Sequence, residues 1–143
     1  MSDTHIVCPS CGGINRIPDG RNPSDANCGS CHKALFTGKP VNLTDANFHR
    51  FVEKTDLPVV VDFWAAWCGP CQAMAPAFES VTAEMEPKLR FAKVDTDAAQ
   101  GLAARFGIRS IPTVILFDKS REVTRQAGAM SAAQLKQWIT QST

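Results

Sequence analysis

The chain has 143 residues, 44% apolar and 20% charged, with a formal net charge of +1. That length holds one ordinary domain or a smaller one with an appendage, and the composition suits a packed globule. A charge so near zero excludes a general electrostatic pull toward nucleic acid or membranes, and no apolar run approaches the ~18 residues a membrane-spanning helix needs. The opening MSDTHIVCPSCGG has no basic stretch leading into an apolar one, so no secretory leader is expected and the expected location is the cytoplasm. The six cysteines fall into three Cys-x-x-Cys pairs, Cys8/Cys11, Cys28/Cys31 and Cys68/Cys71. In a reducing compartment a disulfide framework gives way to metal binding and redox chemistry.

Residues 1–36 read as a small N-terminal domain. Their large apolar residues are Ile6, Val7, Ile14, Ile17, Leu35 and Phe36, too few to hold such a segment folded without a staple. The pattern C-x2-C-x16-C-x2-C from Cys8 to Cys31 supplies one, because this spacing suits tetrahedral zinc. Four thiolates from Cys8, Cys11, Cys28 and Cys31 would saturate the ion, which makes it structural rather than catalytic. Gly12 eases the turn after the first pair, and His5 and His32 are read as surface residues rather than ligands. Two redox dithiols form the competing reading. A nucleic-acid reader would carry a basic face, but Arg16, Arg21, Lys33 and Lys39 stand against Asp3, Asp19 and Asp25, and there is no aromatic platform for bases. Partner choice or redox sensing fits the segment better.

Residues 37–41, with Gly38 and Pro40, form a linker, and residues 42–143 form the main domain. PVNL (40–43) reads as a short strand, and Thr44 as the cap of a helix to about Lys54 with Phe48, Phe51 and Val52 inward. LPVVVDFWA (57–65) is apolar enough for a strand buried on both faces. A helix from Gly69 to Met85 follows, interrupted but not ended by Pro76. LRFAKVD (89–95) is a third strand, and Asp97 to Gln100 resembles a capping box for a helix stopping at Gly107. PTVILF and EVTRQAG flank the turn DKSR as a hairpin. Ser131 and Gln134 make a capping box for a last helix ending near Thr140. The order βαβαβαββα predicts an α/β fold, a mixed central sheet flanked by helices and preceded by the small zinc ribbon.

The third cysteine pair opens a helix directly after a buried strand. Cys71, Met74, Phe78, Val81 and Met85 recur on one apolar helical face, so Cys71 points inward. Cys68 precedes the first turn, where free N–H groups and the helix dipole stabilise a thiolate. Cys68 is therefore expected to be the exposed nucleophile and Cys71 the resolving thiol. Pro70 suits the first turn, and Gly69 leaves room beside Cys68.

VDFWAAWCGPCQAMAP, AKVDTD, FGIRSIPTVILF and QAGAMS, in that order, resemble the thioredoxin family over residues 41–143. The added zinc ribbon is similar to the zinc-containing thioredoxin 2 type. The resemblance implies the thioredoxin fold, a protein-disulfide reductase acting on disulfide-containing proteins, and an NADPH-dependent thioredoxin reductase as electron donor. It implies no organic cofactor in this chain, and a monomer is expected. It places Asp62 beneath the two cysteines as a base toward Cys71 through a water, where burial would raise its pKa; an acid at a solvated strand end is the bland alternative. Lys93 would pair with Asp62, or be an ordinary strand lysine. Pro112 would follow a cis bond and display the Ile111 backbone to an extended substrate. Trp67, Gly69, Pro70, Ile111, Pro112, Gly128 and Ala129 would form a flat apolar surface around Cys68, with Trp64 the better core tryptophan. The rival readings are a zinc-ribbon interaction module with the second domain as adaptor, and a disulfide isomerase or oxidase. The intact Cys68/Cys71 pair favours the reductase over the first. The expected cytoplasmic location and, by the resemblance, the Gly-Pro dipeptide favour it over the second.

Overall fold

The computed structural model describes residues 3–143. Among them the chain forms two sheets. In the first, β1 (Thr4–Val7) pairs antiparallel with β2 (Ile14–Ile17), with Val7 opposite Ile14. A 3-10 turn at Pro23–Asp25 follows, capped by the Asn22 side chain, which accepts from the Ser24 N–H at 3.0 Å. The second sheet holds β3 (Val41–Leu43), β4 (Val59–Trp64), β5 (Arg90–Asp95), β6 (Thr113–Asp118) and β7 (Arg121–Ala127), in the order β3-β5-β4-β6-β7. β3 and β4 run parallel to β5, whereas β6 runs antiparallel to both β4 and β7, so the sheet is mixed. The helices are α1 (Phe48–Lys54), α2 (Gly69–Met85), α3 (Gln100–Arg105) and α4 (Ala132–Ser142). This is the βαβαβαββα order and the flanked mixed sheet expected from the sequence.

The central strand β4 sorts the molecule into two cores. Val59, Val61 and Phe63 face α1 with Phe48, Phe51 and Phe117. Val60 faces the other side, with Met74, Phe78 and Val81 of α2 and Leu135 and Ile139 of α4. Side chains alternate along a strand, so Asp62 shares the α2 side with Val60. A third, smaller core joins Ile6, Ile17, Leu35 and Phe36 to Cys8 and Cys28. Neighbouring Val7 points instead into the first core, so a single residue step on β1 ties the N-terminal segment to the main domain.

Several local expectations are corrected. α1 starts at Phe48, because Thr44–Asn47 forms a separate turn in which the Thr44 carbonyl accepts from the Asn47 and Phe48 N–H groups. No Asp97–Gln100 capping box forms at α3: Asp45, far back in the chain, accepts from the Leu102 N–H at 2.9 Å instead. α4 continues to Ser142, with its Ser131–Gln134 capping box in place. In the β6–β7 hairpin, Lys119 (φ 50°) and Ser120 (φ 73°) take positive φ, which the tight two-residue turn requires.

Candidate active site and metal centre

β4 ends beside a turn in which the Cys68 N–H donates to the Ala65 carbonyl at 3.1 Å. Cys68 then caps α2, its sulfur accepting from the Cys71 N–H at 3.2 Å, with Pro70 in the first turn. The two cysteines are joined in a disulfide, with Cα atoms 5.2 Å apart. Both are covered: Cys68 is 4% exposed and Cys71 2%. The expectation that Cys68 meets solvent is thus corrected for this oxidised form, because Ala65, Trp64 and Ile111 pack on the pair. The asymmetry lies in their neighbours. Cys71 sits on the inner face of α2, whereas Cys68 sits at the helix tip with its sulfur 3.6 Å from the Ile111 carbonyl oxygen.

Ile111–Pro112 is a cis peptide, as expected, and Glu86–Pro87 is a second one the sequence did not announce. The Pro112 carbonyl accepts from the Gly128 N–H at 2.8 Å, which brings Gly128 (φ 96°) and Ala129 alongside the disulfide loop. Around Cys68, Trp67, Gly69, Pro70, Gly128 and Ala129 are exposed, Ile111 is half-buried, and Pro112 itself is buried. Trp67 is 72% exposed, with its indole N–H held by Asp97 Oδ2 at 2.9 Å. Asp97, read in the sequence only as a helix cap, is therefore a site residue that was missed. Its signal is a carboxylate just beyond the strand next to β4.

Asp62 is fully buried, and neither carboxylate oxygen has a hydrogen-bond partner. Burial pushes its pKa up to about 7, opposed by the charge of Lys93. Lys93 stands opposite Asp62 in the β4–β5 register but makes no ion pair with it among the described residues. Its ammonium lies 4.5 Å from the centre of the Trp64 ring. Trp64 is half-buried, as the more interior of the two tryptophans.

The other four cysteines converge. The Cys8 and Cys31 sulfurs lie 3.6 Å apart, as do those of Cys11 and Cys28, and all four lie within 4.8 Å of one another. A tetrahedral zinc with bonds of ~2.3 Å sets its sulfurs roughly 3.8 Å apart, so donor set and spacing fit the ion. Backbone N–H groups of Ser10 and Cys11 point at Cys8, that of Gly13 at Cys11 and that of Ser30 at Cys28. The Cys31 N–H, the Asn15 amide and the Ser30 N–H together pull the Cys28 thiol down to about 5. The two knuckles repeat one backbone scheme: Cys8 bonds to Gly13 and Gly12 to Cys8, and likewise Cys28 to Lys33 and His32 to Cys28. His32 (φ 67°) thus occupies the turn position that Gly12 (φ 76°) fills in the first knuckle, and contributes backbone rather than ring. His5 Nδ1 pairs with Asp56 at 2.9 Å instead of joining the cluster.

The metal segment is docked on the main domain through residues the sequence reading overlooked. Arg90 is 1% exposed; its guanidinium donates to the Leu35 carbonyl at 2.5 Å and stacks 4.0 Å from the Phe36 ring centre. Burial lowers its pKa to about 10 and raises that of nearby Glu86 to about 7. Arg50 Nε donates to the Gly12 carbonyl at 2.7 Å, the Asp56 N–H donates to the His5 carbonyl at 2.9 Å, and the Asp56 carboxylate accepts from the His5 N–H at 2.6 Å.

A Cys-Gly-Pro-Cys disulfide at a helix start, beside a cis-proline on a helix-flanked mixed sheet, defines a thiol–disulfide oxidoreductase of thioredoxin fold. Residues 39–141 match the Thioredoxin family, and residues 7–33 match the family described as Thioredoxin 2, N-terminal. The chain is 48% identical over 136 residues to Thioredoxin C-3 of Corynebacterium nephridii, covering 95% of this chain and 93% of that protein. It is 39% identical over 101 residues to a thioredoxin of Haemophilus influenzae (71% of this chain, 94% of that one) and 38% identical over 101 residues to one of Rickettsia felis (71% and 96%). The chain belongs to the thioredoxin family and has the activity of a protein-disulfide reductase.

Proposed function

We propose that Cys68 is the attacking thiol, Cys71 the resolving thiol and Asp62 the group that takes the Cys71 proton. The observation that carries this reading is the unequal setting of the two sulfurs: Cys68 caps α2 next to the Ile111 carbonyl, and Cys71 lies on the inner face of that helix. Reduced, Cys68 is held as a thiolate by the first-turn N–H groups and the helix dipole. The thiolate attacks one sulfur of a substrate disulfide, forming a mixed disulfide and releasing the other substrate sulfur as a thiolate. Cys71 gives its proton toward Asp62, through one water, and attacks the Cys68 sulfur. The second substrate thiolate leaves, and the Cys68–Cys71 disulfide forms. A carboxylate poised near 7, on the strand face that α2 covers, suits that proton transfer. Lys93 tunes Asp62 by its charge. Trp67, Gly69, Pro70, Ile111, Pro112, Gly128 and Ala129 receive the extended substrate segment, with backbone pairing at Ile111.

Residues 1–36 act as the metal domain, joined by 37–41 to the catalytic domain at 42–143. Zinc held by Cys8, Cys11, Cys28 and Cys31 supplies cross-linking only, because four thiolates leave it no open position. Electrons arrive from an NADPH-dependent thioredoxin reductase, and disulfide-bearing proteins of the cytoplasm are the substrates. The working unit is a monomer, with neither nucleic acid nor membrane as partner. The test is trapping: Cys71→Ser should accumulate a mixed disulfide with substrate, located by peptide mapping at Cys68. A conjugate at another cysteine would reverse the roles.

A further inference from the structure

We propose that the groove between β7 and α4 extends the substrate site and takes an extended, uncharged polar segment flanking the cysteine of the disulfide substrate. This rests on the reading of Cys68 as the attacking thiol. The groove is open to solvent, has a volume of about 370 Å³ and runs from Ala127 and Ala129 along α4. On α4, Gln134, Gln137, Trp138 and Gln141 recur at offsets of 0, 3, 4 and 7, which places them on one face, and Gln126 of β7 stands across from them.

No charged side chain lines this groove, although charged neighbours adjoin it in the chain. Arg125 is turned away to Glu122 and the Phe106 carbonyl, and Lys136 to Glu84. Gln126 and Gln134 are engaged with nearby backbone. Gln137 and Gln141 are exposed, with no hydrogen-bond partner within the described residues. A primary amide offers both donors and an acceptor, so a pair of them can bond a peptide backbone or a polar uncharged side chain whatever its sequence. Trp138, half-buried against the α2–α4 core, supplies a flat wall. A charged flank would find no counter-charge among the lining residues.

The groove is continuous with the catalytic face. Ile111, beside the Cys68 sulfur, precedes Pro112; the Pro112 carbonyl binds the Gly128 N–H, and Ala129 opens the groove. A segment leaving Cys68 past Ile111 and Gly128 runs into it.

The probes are a short capped cyclic disulfide peptide and the same peptide extended by about eight uncharged polar residues on either its N- or its C-terminal side. In the wild type one of the two extensions should raise kcat/KM about 5–10-fold, the worth of one or two hydrogen bonds. In Gln137→Ala/Gln141→Ala, exposed positions where alanine favours the helix, the ratio of extended to short peptide should fall to about one. Replacing several extension residues by Glu or by Lys should lower the ratio in the wild type. No gain from either extension, a gain that survives the double substitution, or an equal gain with charged extensions would overturn the proposal. A Cys68→Ser variant that still reduces the short peptide at the wild-type rate would overturn the Cys68 reading on which the proposal rests.

Discussion

The three Cys-x-x-Cys pairs have the same spacing and opposite fates. In the N-terminal knuckles the chain turns back after the second cysteine, through Gly12 at φ 76° and His32 at φ 67°. Each pair then presents its sulfurs to the other pair at 3.6 Å. Cys71 instead lies in the first turn of the 17-residue helix Gly69–Met85, which Cys68 caps, so Cys68 and Cys71 face each other and form a disulfide. The metal site is built from left-handed turns and backbone N–H groups on sulfur, the redox site from a helix start with a buried acid beneath it. The residues after the second cysteine, more than the spacing, separate a metal clamp from a redox switch.

The largest way to break that contrast is at the clamp. Cys28→Ser should abolish zinc binding, forfeiting on the order of 10 kcal/mol of metal-linked folding free energy. Zinc quantitation should read none, and hydrogen exchange should show β1 and β2 unprotected. Because Val7 sits in the main core, the thermal midpoint should fall as well. Retained protection in the metal-free variant would show that the small core suffices alone.

Next comes the switch. Cys68→Ser should cut disulfide reduction by about 10³-fold or more, as loss of an attacking nucleophile does, while leaving zinc content at wild-type level. An insulin-turbidity assay alongside metal analysis checks both halves of that statement.

The join between the two regions is Arg90. Arg90→Ala removes a buried guanidinium from the Leu35 carbonyl and the Phe36 ring and should cost about 3 kcal/mol, read from chemical denaturation. Arg90→Met, which refills the space without the charge, should recover much of that loss.

Asp62 gives the most pH-dependent effect, one that nearly vanishes in acid. Its pKa is raised from 3.8 to about 7, so between those values the folded protein keeps a proton that the unfolded chain has released. Stability therefore falls as pH rises across that window and stays lowered above it. Asp62→Asn should be the more stable protein by about 2–4 kcal/mol at pH 8 and near parity at pH 4. In stopped-flow at pH 7 it should slow resolution by Cys71 while leaving mixed-disulfide formation nearly unchanged. Glu86, raised to about 7 by its own burial, adds stability change of the same sign and keeps the slope of the variant from vanishing.

The readable parts of the chain were those fixed by local chemistry. α2 from Gly69 to Met85 follows from a cap, a first-turn proline and one apolar stripe, and α4 opens on a capping box written in four residues. The apolar run that becomes β4 carries Asp62 as its one oddity, and that oddity is a buried acid. What escaped rests on long-range partners. Arg90, the first residue of β5, carries no local sign of burial; its partner is the carbonyl of Leu35, 55 residues away. Asp45 caps α3 across 57 residues, and Asp97 orients Trp67 across 30. The resemblance placed Ile111, 43 residues downstream, beside Cys68, but not that it packs with Ala65 and Trp64 closely enough to cover the sulfur.

Differential thiol labelling of the native protein, with zinc measured on the same samples, tests the division of labour most directly. Cycling between dithiothreitol and a mild oxidant should change the labelling of Cys68 and Cys71 alone, with one zinc per chain retained throughout and Cys8, Cys11, Cys28 and Cys31 protected in both states. Labelling that cycles at the four N-terminal cysteines while zinc stays put, or that leaves Cys68 and Cys71 unchanged, would contradict the account.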